Sequence, residues 1–335
     1  MAGREDRLKK LGVVLIGRNE GPRLWIGLDS IPGAVGGVVY VDSGSGDDSV
    51  ALARSKGVTV LALDPKTPFT AARARNEGFG CLLARDPSLE WVQFLDGDCS
   101  LADGWLEEAT GLLDVNPGWL AVCGWRRERH PERTLYNRLC DLEWAQAPLG
   151  DVEDVGFGGD VMIRVDAFRR VGGYDASLIA GEDPELSARL RHSGGRVVRV
   201  DRAMSWHDAD MHRFSQWWVR CVRSGHAYAE VFSRHRTAGT FGRHVRSMAL
   251  WGVAMPAALV VSAWLAPLAL AAVAGVYAVQ VARIARSLGA GRFPLSQRLL
   301  WGLSCVISQV PKVQGMVRFG IDRRRGRRQG IIEYK

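Results

Sequence analysis

The stretch "EWVQFLDGDCS" (residues 90–100) decides how this chain reads. Glu90-Trp91-Val92-Gln93-Phe94-Leu95 is a short, largely apolar run of strand length, closed by two aspartates separated by one glycine. A carboxylate is costly to bury without a partner, so Asp96 and Asp98 either cap a following helix or hold a cation. Three similar runs precede it: "LGVVLIG" (11–17), "VVYVDS" (38–43) and "VTVLAL" (58–63), with helical patterns near 23–30, 49–56 and 70–84 between them. Strand–helix alternation at this spacing predicts right-handed βαβ units and a Rossmann-like, mostly parallel α/β sheet with helices on both faces.

In such sheets ligands bind at the carboxyl ends of the strands. Three polar clusters fall there: "GRNEG" after the first strand, "DSGSGDD" after the second and "DGDC" after the fourth. Each has a local alternative. Pro22 can start a helix, Asp47 or Asp48 can cap a helix beginning at Ser49, and Asp98 or Ser100 can cap one beginning near Ala102. Three such clusters brought to one sheet edge point to a site.

The 335 residues are enough for one large domain or two modest ones. From residue 201 onward there are 20 Lys/Arg against 6 Asp/Glu, whereas the first 200 residues hold 24 against 30. A basic C-terminal third is therefore attached to a mildly acidic body. The six cysteines show no CxxC spacing and fit a reducing compartment. The opening "MAGREDRLKKL" is too charged for a secretory signal, so the N-terminal body is expected in the cytosol.

Residues 248–282 contain no charged side chain. As helix they would extend about 52 Å, against about 30 Å for a hydrocarbon core. Arg243 and Arg246 precede the run, Arg283 and Arg286 follow it, and Trp264-Leu265-Ala266-Pro267 offers a turn in its middle. Basic residues at both ends predict a transmembrane helical hairpin with both ends cytoplasmic. Leu300, Leu303, Ile307 and Val310 keep helical spacing up to Pro311 and Lys312, predicting an interfacial or re-entrant helix. The basic tail, including Arg327 and Arg328, suits anionic membrane lipid rather than nucleic acid.

An Asp-Gly-Asp turn can offer oxygen ligands to Mg²⁺ or Mn²⁺, ions that pair with diphosphate, and Gly97 lets the backbone turn sharply. In this context the chain resembles glycosyltransferase family 2, with the nucleotide-diphospho-sugar transferase (GT-A) fold. The matching pieces run in order: "VVLIGRNEG" (13–21), "VYVDSGSGDDSVALA" (39–53), "ARNEG" (74–78), "FLDGDC" (94–99), "GFGGDVMIR" (156–164), "VGGYDASL" (171–178), "GEDPELSARLRHSGG" (181–195) and "SWH" (205–207). Two departures, "GRNE" for a proline-containing opening and a serine in "DSGSGDD" where many members have a second aspartate, bear on nucleotide preference. The resemblance implies that Glu20 and Asp42 contact the nucleotide base and ribose, and that Arg75 approaches the donor. It makes Asp96 the ribose- or sugar-facing carboxylate and Asp98 the metal ligand, with His207 completing the coordination. Gly159 and Asp160 would line the donor sugar. Asp183 becomes the general base, with Glu182 orienting its loop or touching the acceptor; Pro184 places both at a helix start.

Residues 212–232 divide into an aromatic stripe and a basic one, predicting an amphipathic helix at the membrane interface. Arg220 or Arg223 could assist the leaving diphosphate. The Gln-x-x-Arg-Trp signature of processive members is not matched by "QWWVR" (216–220), which argues against a polymer-extruding synthase.

The expected organisation is a catalytic domain over 1–210, an interface helix over 211–246, a membrane hairpin over 247–286 and an interfacial helix with basic tail over 287–335. The expected activity is inverting, metal-dependent transfer from a nucleoside-diphosphate sugar to a lipid-linked or envelope glycan acceptor, with transfer to polyprenyl phosphate as the close variant. The expected place is the cytoplasmic membrane, multi-pass, with the catalytic domain facing the cytoplasm. Two rivals come from other classes. A nucleotidyltransferase would need a glycine-rich, lysine-bearing loop that "GRNEGPRLW" (17–25) lacks, and an inactive tethered binding protein would not need both Asp98 and Asp183.

Overall fold

The computed structural model describes residues 2–152, 156–235, 241–289 and 292–326; Arg327 and Arg328 of the basic tail lie outside them. The chain divides into two compact units, 1–130 with 147–209 and 131–146 with 210–335.

The first unit is built on nine strands: β1 (Leu11–Gly17), β2 (Gly37–Asp42), β3 (Thr59–Ala62), β4 (Trp91–Asp96), β5 (Cys99–Leu101), β6 (Trp119–Glu128), β7 (Gly150–Asp151), β8 (Val161–Arg164) and β9 (Arg196–His207). Among the described residues they form one sheet in the order β3-β2-β1-β4-β8-β6-β9-β5, with β7 on β9. The β1, β2 and β4 runs are apolar on both faces, as befits strands covered on both sides, and Val13, Val14, Val39, Phe94 and Leu95 are fully buried. The half from β3 to β4 is parallel, as the alternating pattern predicts. Beyond it β8 runs antiparallel to both β4 and β6, so the sheet is mixed.

Register positions the site. Gly17 pairs with Asp42 and Ile16 with Asp96, so β1, β2 and β4 end level and release their loops at one edge. On the far side of the sheet, β9 pairs His207 with Glu128 of β6 and with Cys99 of β5. The helices α1 (Ala2–Lys9), α2 (Pro22–Asp29), α3 (Ser49–Ser55), α4 (Ala71–Arg85) and α5 (Trp105–Val115) lie within this unit. Pro22 opens α2 as expected. The "DGDC" turn instead leads into β5; α5 starts only at Trp105 behind Gly104, so neither Asp98 nor Ser100 caps a helix.

The second unit contains α6 (Leu135–Trp144), which precedes α7 (Val165–Arg170) and α8 (Glu182–His192) of the first unit in the chain. It also contains α9 (Phe214–Arg234), α10 (Gly242–Ala249), α11 (Met255–Leu265), α12 (Pro267–Ser287), α13 (Leu295–Ile307) and α14 (Gln309–Arg324). Residues 131–146 join it because α6 is tied there: Glu143 pairs with Arg220 at 2.6 Å, and the Ala145 carbonyl accepts from Arg292. The amphipathic pattern of α9 is real, but its apolar side packs inside the unit: Trp217 and Cys221 cluster with Leu139 of α6 beside Leu300 and Trp301 of α13, while Gly225 meets the Lys312 backbone of α14 and Gly315 that of Val222. Trp218 Nε1 donates to Gln314 across the same contact. The turn at Ala266 is as expected. Residues 242–265 and 267–287 form two helices long and apolar enough to cross a membrane, with only 11% and 6% of their most apolar stretches buried. Trp264 and Leu268 at the turn are 89% and 84% exposed.

Candidate active site

Asp96, at the carboxyl end of β4, is the centre of a buried ionic network. Its two oxygens each meet a guanidinium at 2.7 Å, Oδ1 with Arg75 of α4 and Oδ2 with Arg126 of β6. Arg75 is almost fully buried, and its second nitrogen pairs with Glu182 Oε1 at 2.7 Å while the guanidinium stacks over Tyr174. Arg126 continues to Asp160 through Nε at 3.1 Å and to the carbonyl of Gly158 through Nη1. Asp160 also accepts from Ser205 Oγ and from the Asp96 amide. Burial alone would raise the Asp96 pKa; Arg75 and Arg126 outweigh it and hold the carboxyl well below the usual carboxylate range. Gly159, at φ +95°, lies so close to this cluster that a Cβ would stand 2.7 Å from Asp96 Oδ2.

The network gives several expected ligand-facing residues an internal task. Arg75 and Glu182 neutralise each other inside the fold. Asp160 has no exposed surface, and its carboxylate holds Arg126, Ser205 and the Asp96 amide. Asp42 behaves similarly: it accepts from the Gly44 and Ser45 amides, Ser45 Oγ and Tyr40, closing its own loop. That loop is stitched to the preceding one by Asn19 and by Ser49, whose Oγ accepts from the Glu20 and Gly21 amides. Glu20 lies against Gly97 and pairs with Arg23 at 3.0 Å.

Two places carry different electrostatics. Asp183 stands in the first turn of α8, half-buried, and its Oδ2 accepts from the Gly158 amide at 2.7 Å. Burial and the neighbouring Glu182 push its carboxyl up to about 6, against the opposing pull of that hydrogen bond and of Arg75. Gly156 lies tight beside it: a Cβ there would stand 2.5 Å from Asp183 Oδ2, so a larger residue would have to displace the Asp183 side chain.

At the second place, Asp98 Oδ2 lies 3.2 Å from His207 Nε2, and His207 Nδ1 lies 3.2 Å from Glu128 Oε2. Glu128 is buried and also accepts from the Ala209 amide. Burial holds His207 below its ordinary pKa, toward the neutral imidazole. With its proton on Nδ1 facing Glu128, the ring turns the Nε2 lone pair toward Asp98. A carboxylate, a histidine and a carboxylate behind it are the donor set of a metal site whose histidine is oriented from the rear. Adjacent ligands of an octahedral ion with bonds of about 2.1 Å stand about 3 Å apart, which the Asp98–His207 spacing matches. Among the described residues no group of three or more His, Cys, Asp or Glu side chains is placed to hold a metal ion, so Asp98 and His207 offer two donors.

Arg126 and Glu128 were not anticipated from the sequence; they reach the site only through the pairing of β6 with its neighbours. Arg220 and Arg223 belong to the second unit, where Arg220 holds Glu143. A cavity of about 500 Å³, lined by Pro32, Gly36, Lys56, Val58, Arg85 and Asp86, opens at the opposite ends of β2 and β3, away from these carboxylates.

Residues 14–171 match the sequence model of Glycosyl transferase family 2, and residues 154–213 that of the N-terminal domain of galactosyltransferase. The Pre-mycofactocin glycosyltransferase of Mycobacterium tuberculosis is 29% identical over 174 residues, covering 49% of this chain and 35% of that protein. The Succinoglycan biosynthesis protein ExoA of Rhizobium meliloti is 29% identical over 109 residues, 32% of each chain. The chain thus spans about a third of the length of the curated relatives it matches. Among solved structures, the mannosyltransferase PcManGT from Pyrobaculum calidifontis, in complex with GDP-Man and Mn²⁺, superposes with a TM-score of 0.58 at 19% identity, over 94% of this chain and 88% of that one. Glucosyl-3-phosphoglycerate synthase of M. tuberculosis gives 0.50 at 18% identity, over 69% and 84%. At these identities the likeness is one of fold, the GT-A fold.

Proposed function

The chain belongs to glycosyltransferase family 2 through residues 14–171, and from that premise we propose that it transfers a sugar from a nucleoside-diphosphate sugar to a lipid-linked or envelope glycan acceptor. The observation that carries this reading is the Asp98–His207–Glu128 chain at the end of the "DGD" turn. Asp98 and His207 would hold a divalent cation, Mn²⁺ or Mg²⁺, and the Mn²⁺ and GDP-Man in the Pyrobaculum mannosyltransferase of the same fold support that choice. Such an ion, when bound, supplies positive charge to a departing nucleoside diphosphate.

The chain's own residues do the rest. Asp183 takes the proton from the acceptor hydroxyl, and a carboxyl titrating at about 6 is largely ionised near neutrality yet basic enough to accept it. Attack on the face opposite the leaving group inverts the anomeric carbon. Glu182, neutralised by Arg75, keeps the turn that carries Asp183 in place. Asp42 shapes the loop around the nucleotide through its backbone contacts. The two apolar helices insert as a hairpin with Arg243, Arg246, Arg283 and Arg286 on the cytoplasmic side, where nucleotide sugars are dissolved and lipid-linked acceptors are anchored.

The test is release of nucleoside diphosphate by the detergent-purified protein. It uses UDP-, GDP- and dTDP-sugars with Mn²⁺ or Mg²⁺, with and without lipid-linked acceptor extracts. Turnover of one donor, abolished by EDTA and by Asp98→Asn, is the expected result. Absence of both turnover and donor binding across the panel would overturn the reading.

A further inference from the structure

The Gly158 backbone is held from both sides. Its carbonyl accepts from Arg126 Nη1, and its amide donates to Asp183 Oδ2 at 2.7 Å. Arg126 also grips Asp96 Oδ2 at 2.7 Å, Asp160 at 3.1 Å and the Cys99 thiol at 3.0 Å. A planar guanidinium can serve so many acceptors only in one orientation, which an ammonium cannot reproduce. Gly158 itself is at φ +86°, a conformation with no preference of its own for this placement beyond what its partners impose. A chain of hydrogen bonds therefore runs from the carboxylate at the end of β4, through Arg126 and the two peptide groups joined at the Gly158 Cα, to the half-buried carboxylate of α8.

We propose that Arg126 is the positioning residue of this site, setting the carboxylate of Asp183 through the Gly158 backbone while it clamps Asp96. The consequence is that the group facing the donor and the group facing the acceptor share one rigid reference. The role in turnover rests on Asp183 being the base; the positional coupling itself does not. The other groups facing Asp183 are Glu182 on its own helix, Arg75 of α4, Asp96 of β4, Tyr174 of the preceding loop and Cys123 of β6. The Gly158 carbonyl is reached by Arg126.

The decisive variant is Arg126→Lys, which keeps the positive charge but loses the fork. Asp183 is followed by ¹³C NMR of aspartate carboxyls, assigned with Asp183→Asn, and turnover by nucleoside diphosphate release. Loosening the Gly158 amide from Asp183 raises the Asp183 titration midpoint by roughly half a unit or more. The same variant lowers kcat by about tenfold or more, with donor KM changed less, because a displaced base costs turnover before binding. An unchanged Asp183 titration in folded Arg126→Lys overturns the proposal, and so does a loss confined to donor KM. If Arg126→Lys does not fold, Arg126→Gln combined with Asp160→Asn removes one charge of each sign and carries the same measurement. The NMR arm needs no turnover, so an inactive wild type would count against the catalytic reading alone.

Discussion

Asp96 and Asp183 are carboxylates of one site with opposite fates. Asp96 is half-buried between two guanidiniums, and its proton affinity is driven down. Asp183 is half-buried beside Glu182 with one backbone amide for support, and its affinity is driven up to about 6. Residue type says nothing of this difference; what decides it is where the two arginines go. Both are spent on Asp96, Asp160 and Glu182. The site thus has a scaffold of two guanidiniums shared among three carboxylates and, beside it, Asp183 on a backbone amide. Environments that push paired acids apart are how one fold assigns different roles to the same side chain.

That contrast breaks most visibly at Asp183. Asp183→Asn lowers kcat by about 10²–10⁴-fold, with the thermal midpoint unchanged or raised because a buried charge is removed; a large loss of stability would move Asp183 into the scaffold. In the wild type the rate rises with pH through about 6, as the base loses its proton. On the scaffold side, Arg75→Met leaves Asp96 and Glu182 without their shared cation and destabilises the protein by about 3–5 kcal/mol in urea denaturation. Near-normal stability would show that Asp96 and Glu182 do not need that cation.

A smaller effect sharpens the comparison through stability against pH. A carboxyl whose folded pKa lies above its unfolded value stabilises the fold while protonated, and that contribution is lost as pH rises. For Asp183 the loss runs from its ordinary value of 3.8 to about 6, and Asp183→Asn flattens that part of the urea-midpoint profile. Asp96, shifted the other way, contributes stability above the ordinary carboxylate range that is lost only as the pH falls well below it.

Much of this site is legible in the residue string. The level strand ends follow from runs of similar length ending in Gly17, Asp42 and Asp96, and Gly156 and Gly159 signal backbone pressed against side chains. Arg126 and Glu128 are not legible, since "GWRRERH" (124–130) has no feature that selects them. They enter because β6 pairs with both β8 and β9, placing Glu128 opposite His207. The aromatic side of α9 is a second instance. Its periodicity shows that a face is covered, and Leu139 of α6 with Leu300 and Trp301 of α13, far removed in the chain, pack with Trp217 and Cys221.

From the sequence alone came the α/β sheet, the edge at which its polar loops gather and the two apolar helices, because periodicity, turn residues and local spacing are short-range properties. Only the tertiary structure decided which carboxylates are neutralised and which stay available. That outcome depends on guanidiniums delivered by α4 and β6 from elsewhere in the chain, and on a burial that no local pattern records.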